Sequence, residues 1–197
     1  MIRDLVRVAR TVRRYQEDKV LGTDLLEQLV DLARIGGSAR NAQALKYMLV
    51  VKPDLRQLVF PHLAWAGYLT DWPGPAPGER PAAYIVCLLD RDLLKGPEAE
   101  AHFDLGIATQ SMLLGAAEQG IMGCRIGAFS TKLAQTLGLP ERFKPLLVLA
   151  LGYPAETVLL EEVGPEGSIR YWRDGQGRHH VPKRSLAEIL VAAPVAT

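Results

Sequence analysis

The chain has 197 residues, 48% hydrophobic and 23% charged, a balance that excludes a disordered polymer and supplies enough apolar side chains for one buried core. Twenty-three basic residues oppose 22 acidic ones for a net charge of +1, so no whole-molecule field draws it onto nucleic acid or an anionic membrane. We therefore expect a single soluble domain over residues 1–197.

A basic helix is predicted over residues 2–9, followed by a stronger one over 23–35, where Leu25, Leu26, Leu29, Val30 and Ala33 paint one face. Thr23 is a candidate N-cap, and Gly36-Gly37 offers left-handed backbone at the end. Short apolar runs at 47–51, 83–89 and 146–151 read as buried strands. Between the second and third, residues 101–119 form a helix apolar on most sides. Residues 71–81 hold four prolines and two glycines, which makes them a surface loop. A shorter helix is expected over 131–137, with Ser130 as cap and Gly138 and Pro140 as terminators. Segments 169–173 and 178–181 flank Asp174-Gly175-Gln176-Gly177 as a hairpin, and a last helix covers 185–190. Helices interleaved with strands and closed by a hairpin fit an α+β fold better than a doubly wound sheet.

Cys87 and Cys124 are the only cysteines, too few for a disulfide framework, and they point to a reducing, cytoplasmic compartment. Arg3, Arg7, Arg10, Arg13 and Arg14 crowd the start without the apolar core and cleavage site of a signal peptide, so none is expected. The longest apolar-rich stretch, 105–117, is interrupted by Thr109, Gln110 and Ser111 and is too short for a membrane span.

Several chemistries lack their residues. No Walker loop and no Gly-x-Gly-x-x-Gly follows a strand, no serine sits in a Gly-x-Ser-x-Gly elbow, and His179 and His180 are neighbours that face opposite sides of a strand, so no metal site is expected. Nucleic-acid binding through the basic start is weakened by Asp4, Glu17 and Asp18 and by the absence of interleaved aromatics.

A site assembled from separate segments remains. Arg10-Thr11-Val12-Arg13-Arg14-Tyr15 offers guanidiniums and a hydroxyl of the kind that hold phosphate, although a solvated helix end has the same composition. Ser38-Ala39-Arg40-Asn41-Ala42-Gln43 could read a ligand edge of alternating acceptors and donors, or be an ordinary turn. Gly123-Cys124-Arg125-Ile126-Gly127 could let main chain approach a ligand, or be a tight loop after the central helix. Trp65, Tyr68 and Trp72, spaced three and four apart on a predicted helix, could roof an aromatic substrate or belong to core or dimer contacts.

Taken in order, these motifs, with the runs 104–110 and 149–154 and the Lys183-Arg184 end, resemble FMN-dependent nitroreductases over nearly the whole chain. The resemblance implies a nitroreductase-like fold, a mixed or antiparallel sheet surrounded by helices, in an intertwined homodimer with FMN at the subunit interface. It implies that Arg10, Thr11 and Arg13 bind the FMN phosphate and ribityl chain, joined by Lys183 and Arg184. Ser38, Ala39, Arg40, Asn41 and Gln43 would line the flavin from the second subunit, with Cys124, Ile126 and Gly127 beneath the ring and a main-chain N–H near N5. By their spacing alone Trp65 and Tyr68 are candidates for the substrate pocket, and the hairpin residues Tyr171, Trp172, His179 and His180 could edge the pocket, cover the phosphate or pack on a partner. Ala9 and Ile126 depart from residues common in relatives, an arginine and an acid respectively. The implied activity is hydride transfer from NADH or NADPH through flavin N5 to a nitroaromatic, quinone or enone, with no protein nucleophile. Arg40 or Arg125 could stabilise the reduced flavin. A flavin-binding module without turnover, or a dehalogenating or ring-cleaving relative, is the alternative.

Overall fold

The computed structural model describes residues 1–193. Its centre is an antiparallel sheet of order β1-β2-β4-β3, built from β1 (Leu45–Val50), β2 (Ala83–Asp90), β3 (Met122–Ile126) and β4 (Phe143–Gly152). Every residue of β2 is buried, which explains why its sequence is a continuous apolar run and does not alternate.

Alternate side chains of these strands feed two cores. On one face Ile85, Cys87, Leu149 and Leu151 pack against Leu26 and Leu29 of α2 (Thr23–Arg34) and Leu105, Met112 and Ala116 of α4 (Glu98–Glu118). On the other, Tyr84, Val86, Val148 and Ala150 pack against Val12 and Tyr15, Val59 of α3 (Pro53–Val59), and Trp65. Gly123 permits the close approach of α4 to β3, because a Cβ there would stand 2.7 Å from both the Ala150 carbonyl oxygen and Leu113 Cδ2. The α+β class expected from the sequence is the observed one.

Local details differ in instructive ways. α1 (Ile2–Val8) and α2 lie where their periodicity puts them, but Gly22 is the N-cap and Thr23 the first helical residue. α2 leaves through Ile35 in right-handed conformation, and neither Gly36 nor Gly37 has a positive φ. The stretch after α4 is the edge strand β3, where the sequence suggested a loop. Residues 65–72 are a series of turns and not a helix, since Ala66 at φ 43° leaves helical space. α5 is shorter than predicted (Leu133–Thr136), although Gly138 closes it at φ 62°. Among the described residues no helix is long and apolar enough to cross a membrane.

The C-terminal region forms a second sheet, β5-β7-β6. The hairpin strands β6 (Trp172–Arg173) and β7 (His179–Lys183) pair antiparallel, and an unforeseen β5 (Val158–Glu162) pairs parallel to β7. α6 (Leu186–Ile189) follows, with Ser185 forming a capping box with Glu188.

β7 sends consecutive histidines to opposite faces. His179 turns inward, whereas His180 lies between Glu161 of β5 and Asp174 of the hairpin turn and stacks on Trp172 with ring centroids 4.0 Å apart. Both ring nitrogens face carboxylate oxygens, so both must donate and the ring is held as imidazolium. The hydrogen bonds to Glu161 and then to Asp174 raise the His180 pKa, and His180 is the first cause holding Asp174 well below the usual carboxylate range, with Arg178 assisting. A group with a raised folded-state pKa stabilises fully below its unfolded value and loses that contribution as pH rises through the folded value. We expect amide protection between β6 and β7, measured as hydrogen-exchange protection factors, to fall above the ordinary histidine pKa in the wild type. His180→Gln should flatten that dependence; the same pH profile in the variant would contradict this account.

Candidate functional site

After α1 the chain runs as a strap along the outer edge of β3. Thr11 bridges Gly123, and the Val12 N–H donates to the Gly123 carbonyl at 3.2 Å. Tyr15, fully buried, donates its phenol to the Val12 carbonyl at 2.5 Å and packs against Gly152, where a Cβ would fall 2.8 Å from the Tyr15 ring. Val12 and Tyr15 turn into the core, while Thr11 is exposed and Arg10, Arg13 and Arg14 are half-buried.

Beneath the strap lies Glu156, whose side chain is 1% exposed. One of its oxygens accepts the N–H groups of Arg13 (2.5 Å) and Arg14 (3.2 Å), and the other accepts Arg173 Nη2 at 2.9 Å. A single buried carboxylate thus ties the start of the chain to β6. Arg13 also lies 4.6 Å over the Tyr171 ring, and its Nη1 stands 3.1 Å from His179 Nε2. For that contact His179 must be neutral with Nε2 as acceptor, in keeping with a pKa pushed down to about 4 by burial and then by Arg13.

The arrangement fits an anion. Arg10 Nε and Arg13 Nε are buried without a hydrogen-bond partner, and Arg10 is otherwise turned to the Val6 carbonyl. Buried guanidinium donors left unspent on either side of a threonine in the chain are what phosphate oxygens would satisfy. Arg14 Nε is likewise buried without a hydrogen bond, but it lies 3.4 Å from Glu79, and the guanidinium is 5.9 Å over Trp72. Lys183 and Arg184 are exposed, and β7 delivers His179 to Arg13. Lys183 lies four residues further, about 13 Å along an extended strand, and Arg184 meets Glu188 at 3.5 Å. Within one subunit, then, the two ends of the chain converge through Arg13, His179 and Glu156, without Lys183.

β3 supplies main chain. Because the Gly123 carbonyl faces the strap, the period-two alternation of a paired strand turns the main chain of Arg125 toward the same free edge and that of Cys124 and Ile126 toward β4. The Cys124 and Ile126 side chains are buried, and burial raises the Cys124 pKa, which keeps it a thiol. Gly127 is exposed, with nothing near a would-be Cβ. Arg125 donates from Nε to Thr109 Oγ1 and from Nη2 to Gln110 Oε1, both at 2.8 Å.

The loop at 38–43 hangs on α4. Asp104, 7% exposed, accepts the Ser38 hydroxyl and the Ala39 N–H, each at 2.8 Å, and Ser38 Oγ accepts the Gln43 N–H at 3.1 Å. Ser38 is therefore spent on building the loop. Arg40 donates Nε (2.9 Å) and Nη2 (3.0 Å) to Glu100. Arg40, Asn41 and Gln43 have φ of 52°, 50° and 50°, unusual for side-chain-bearing residues and found where a fixed shape is needed. Asn41 and Gln43 are exposed and bonded to each other at 3.1 Å. A cleft of about 470 Å³ opens behind the loop between α2, β1 and α4, lined by Ser38, Gln43, Lys46 and Tyr47 among others, and Arg10, Thr11 and Arg13 do not line it. No hydrogen bond or ion pair joins this loop to the strap among the described residues.

The aromatic stripe divides. Trp65 is 9% exposed and packs near Phe60 with centroids 6.0 Å apart, so it belongs to the core. Tyr68 is exposed and meets Tyr171 at 4.8 Å, beside the ring that carries Arg13. Glu156 was not singled out from sequence, Asp104 entered only as part of the run 104–110, and Tyr171 only as part of a hairpin of open role. Asp104 had a signal, an acid on the buried face of an otherwise apolar helix; Glu156, in a short loop, had none beyond the surplus of arginines it answers.

Comparison with known proteins gives the family and the fold. The sequence profile of the nitroreductase family matches residues 6–153, and the chain belongs to that family. A Methanothermobacter thermautotrophicus protein whose name proposes an NADH dehydrogenase or NAD(P)H nitroreductase is 27% identical over 158 residues, 78% of this chain and 77% of the relative. The crystal structure of a proposed nitroreductase from Desulfovibrio desulfuricans, in complex with FMN, superposes with a TM-score of 0.71 at 22% identity, covering 99% of this chain and 98% of that one. An enone reductase of gut-bacterial fatty acid saturation superposes with a TM-score of 0.65 at 17% identity, covering 77% and 88%.

Replacing Glu156 by Ala leaves Arg173 and two strap N–H groups buried without an acceptor, a class of loss that costs about 3–5 kcal/mol. Urea unfolding should show that decrease; a change below about 1 kcal/mol would mean that the strap is held by other contacts.

Proposed function

We propose that the chain is an FMN-dependent oxidoreductase that uses NADH or NADPH to reduce a small organic acceptor, acting as a homodimer with the cofactor between subunits. The observation that carries this proposal is the pair of buried, unpartnered guanidinium nitrogens of Arg10 and Arg13 beside Thr11, on a strap that runs against β3. Arg10, Thr11 and Arg13 would hold the phosphate, and the exposed main-chain edge at Arg125, continuing to Gly127, would meet the ring. Bound there, FMN supplies hydride acceptance and donation at N5.

A second subunit is needed in this proposal because the polar edge of Asn41 and Gln43 faces solvent and no contact brings it to the strap. Phe103 and Ile107, one turn apart on α4, are 70% and 48% exposed, apolar surface of the kind a partner covers. Lys183 and Arg184 would then serve the site only through the assembly. Tyr68 remains a substrate-wall candidate, whereas Trp65 does not. The acceptor in this proposal is a nitroaromatic, quinone or enone, a range supported by the nitroreductase names of the relatives and by the matched enone reductase. Neither nucleic acid nor a metal enters the proposal.

The purified protein should be yellow, release FMN on denaturation, and bleach when mixed anaerobically with NADH or NADPH. Bound flavin that stays oxidised with both reductants would leave a binding module and overturn the reductase assignment.

A further inference from the structure

Two arginines belong to the segments proposed to meet the ring, Arg125 on β3 and Arg40 in the 38–43 loop, and their partners separate them. Arg40 is closed onto Glu100 by two hydrogen bonds, so its charge is matched by a carboxylate. Arg125 is held only by neutral groups, the Thr109 hydroxyl and the Gln110 amide, and no carboxylate pairs with it among the described residues.

Position favours Arg125 as well. Its main chain lies at the free edge of β3, two residues beyond the point where the strap crosses at Gly123. Thr109 is itself fixed, buried and donating to the Leu105 carbonyl at 2.7 Å, and it fixes the guanidinium in turn. Gln110 ends the solvent-facing stripe of α4 that contains Phe103, Gly106 and Ile107. Thr109 follows Asp104, the anchor of the 38–43 loop, by about 7.5 Å along the helix. The cation therefore sits at the border of an apolar surface, where covering by a second subunit would exclude water and strengthen its field.

We propose that Arg125, oriented by Thr109 and Gln110, is the cation that stabilises the reduced cofactor. The inference rests on FMN binding as proposed above. A hydride brings two electrons and one proton, so the ring gains one negative charge spread over N1 and the C2 carbonyl, while the dihydronicotinamide that gave it becomes a nicotinamide cation. A fixed, unneutralised guanidinium favours the reduced form over the oxidised one and so sets the potential, without being needed for the oxidised cofactor to bind.

The test is the midpoint potential of the FMN-loaded protein, measured by equilibration with a reference dye, together with the affinity for oxidised FMN. Arg125→Gln should bind oxidised FMN within about twofold of wild type and weaken reduced binding by about tenfold, which lowers the potential by about 30 mV for a two-electron couple. Thr109→Val should move it the same way by a smaller amount, and it provides the readout if the first variant folds poorly. Arg40→Gln should change the ratio by less than about twofold. An unchanged potential in Arg125→Gln or, failing that, in Thr109→Val, with FMN still bound, overturns the role of Arg125 and leaves the cofactor assignment standing. A wild-type protein that takes up no FMN overturns both.

Discussion

Glu156 carries a charge into a place that water hardly reaches, and the candidate site is organised around it. Its carboxylate accepts two consecutive strap N–H groups and the Arg173 guanidinium, so the position of the strap and the seat of the second sheet are one constraint. Removing a buried charge from water is costly unless its oxygens are filled, and here three donors fill them. The consequence reaches Arg13, whose main chain is pinned by Glu156 while its side chain is steered by Tyr171 and His179. An arginine held at both ends presents its remaining N–H donors in a fixed direction, which a solvated arginine would not.

α4 plays the complementary part on the far side of β3. Asp104 and Glu100 shape the 38–43 loop, while Thr109 and Gln110 orient Arg125. One rigid helix thus positions both the polar loop and the cation at the edge of the strand. Between those anchors α4 leaves Phe103 and Ile107 exposed.

The sequence made the larger elements legible because their burial patterns are simple. β2 is apolar throughout since both faces are covered, and α2 has the three-and-four spacing of a helix with one buried face. β3 was hidden because its five residues include Gly123 and Arg125, which suppress strand propensity, and because its place at the edge is decided by tertiary pairing. β5 was hidden for a similar reason, as Val158–Glu162 is mostly half-exposed. The aromatic spacing at 65–72 imitated a helix, yet Trp65 and Tyr68 diverge once Ala66 turns the chain. Of the site, Arg10, Thr11 and Arg13 could be named from chemistry and from family resemblance. The hairpin with His179 could be offered only as one of several covers for the phosphate, and control by Glu156 could not be read, because those residues lie more than 140 positions away and no local spacing links them.

The central claim is that the strap binds a phosphate, and the most direct measurement compares FMN with riboflavin, which lacks that group. The account predicts that FMN binds at least about 100-fold more tightly, and that replacing both Arg10 and Arg13 by Gln shrinks the preference to within about fivefold. Equal affinity for FMN and riboflavin in the wild-type protein would contradict it.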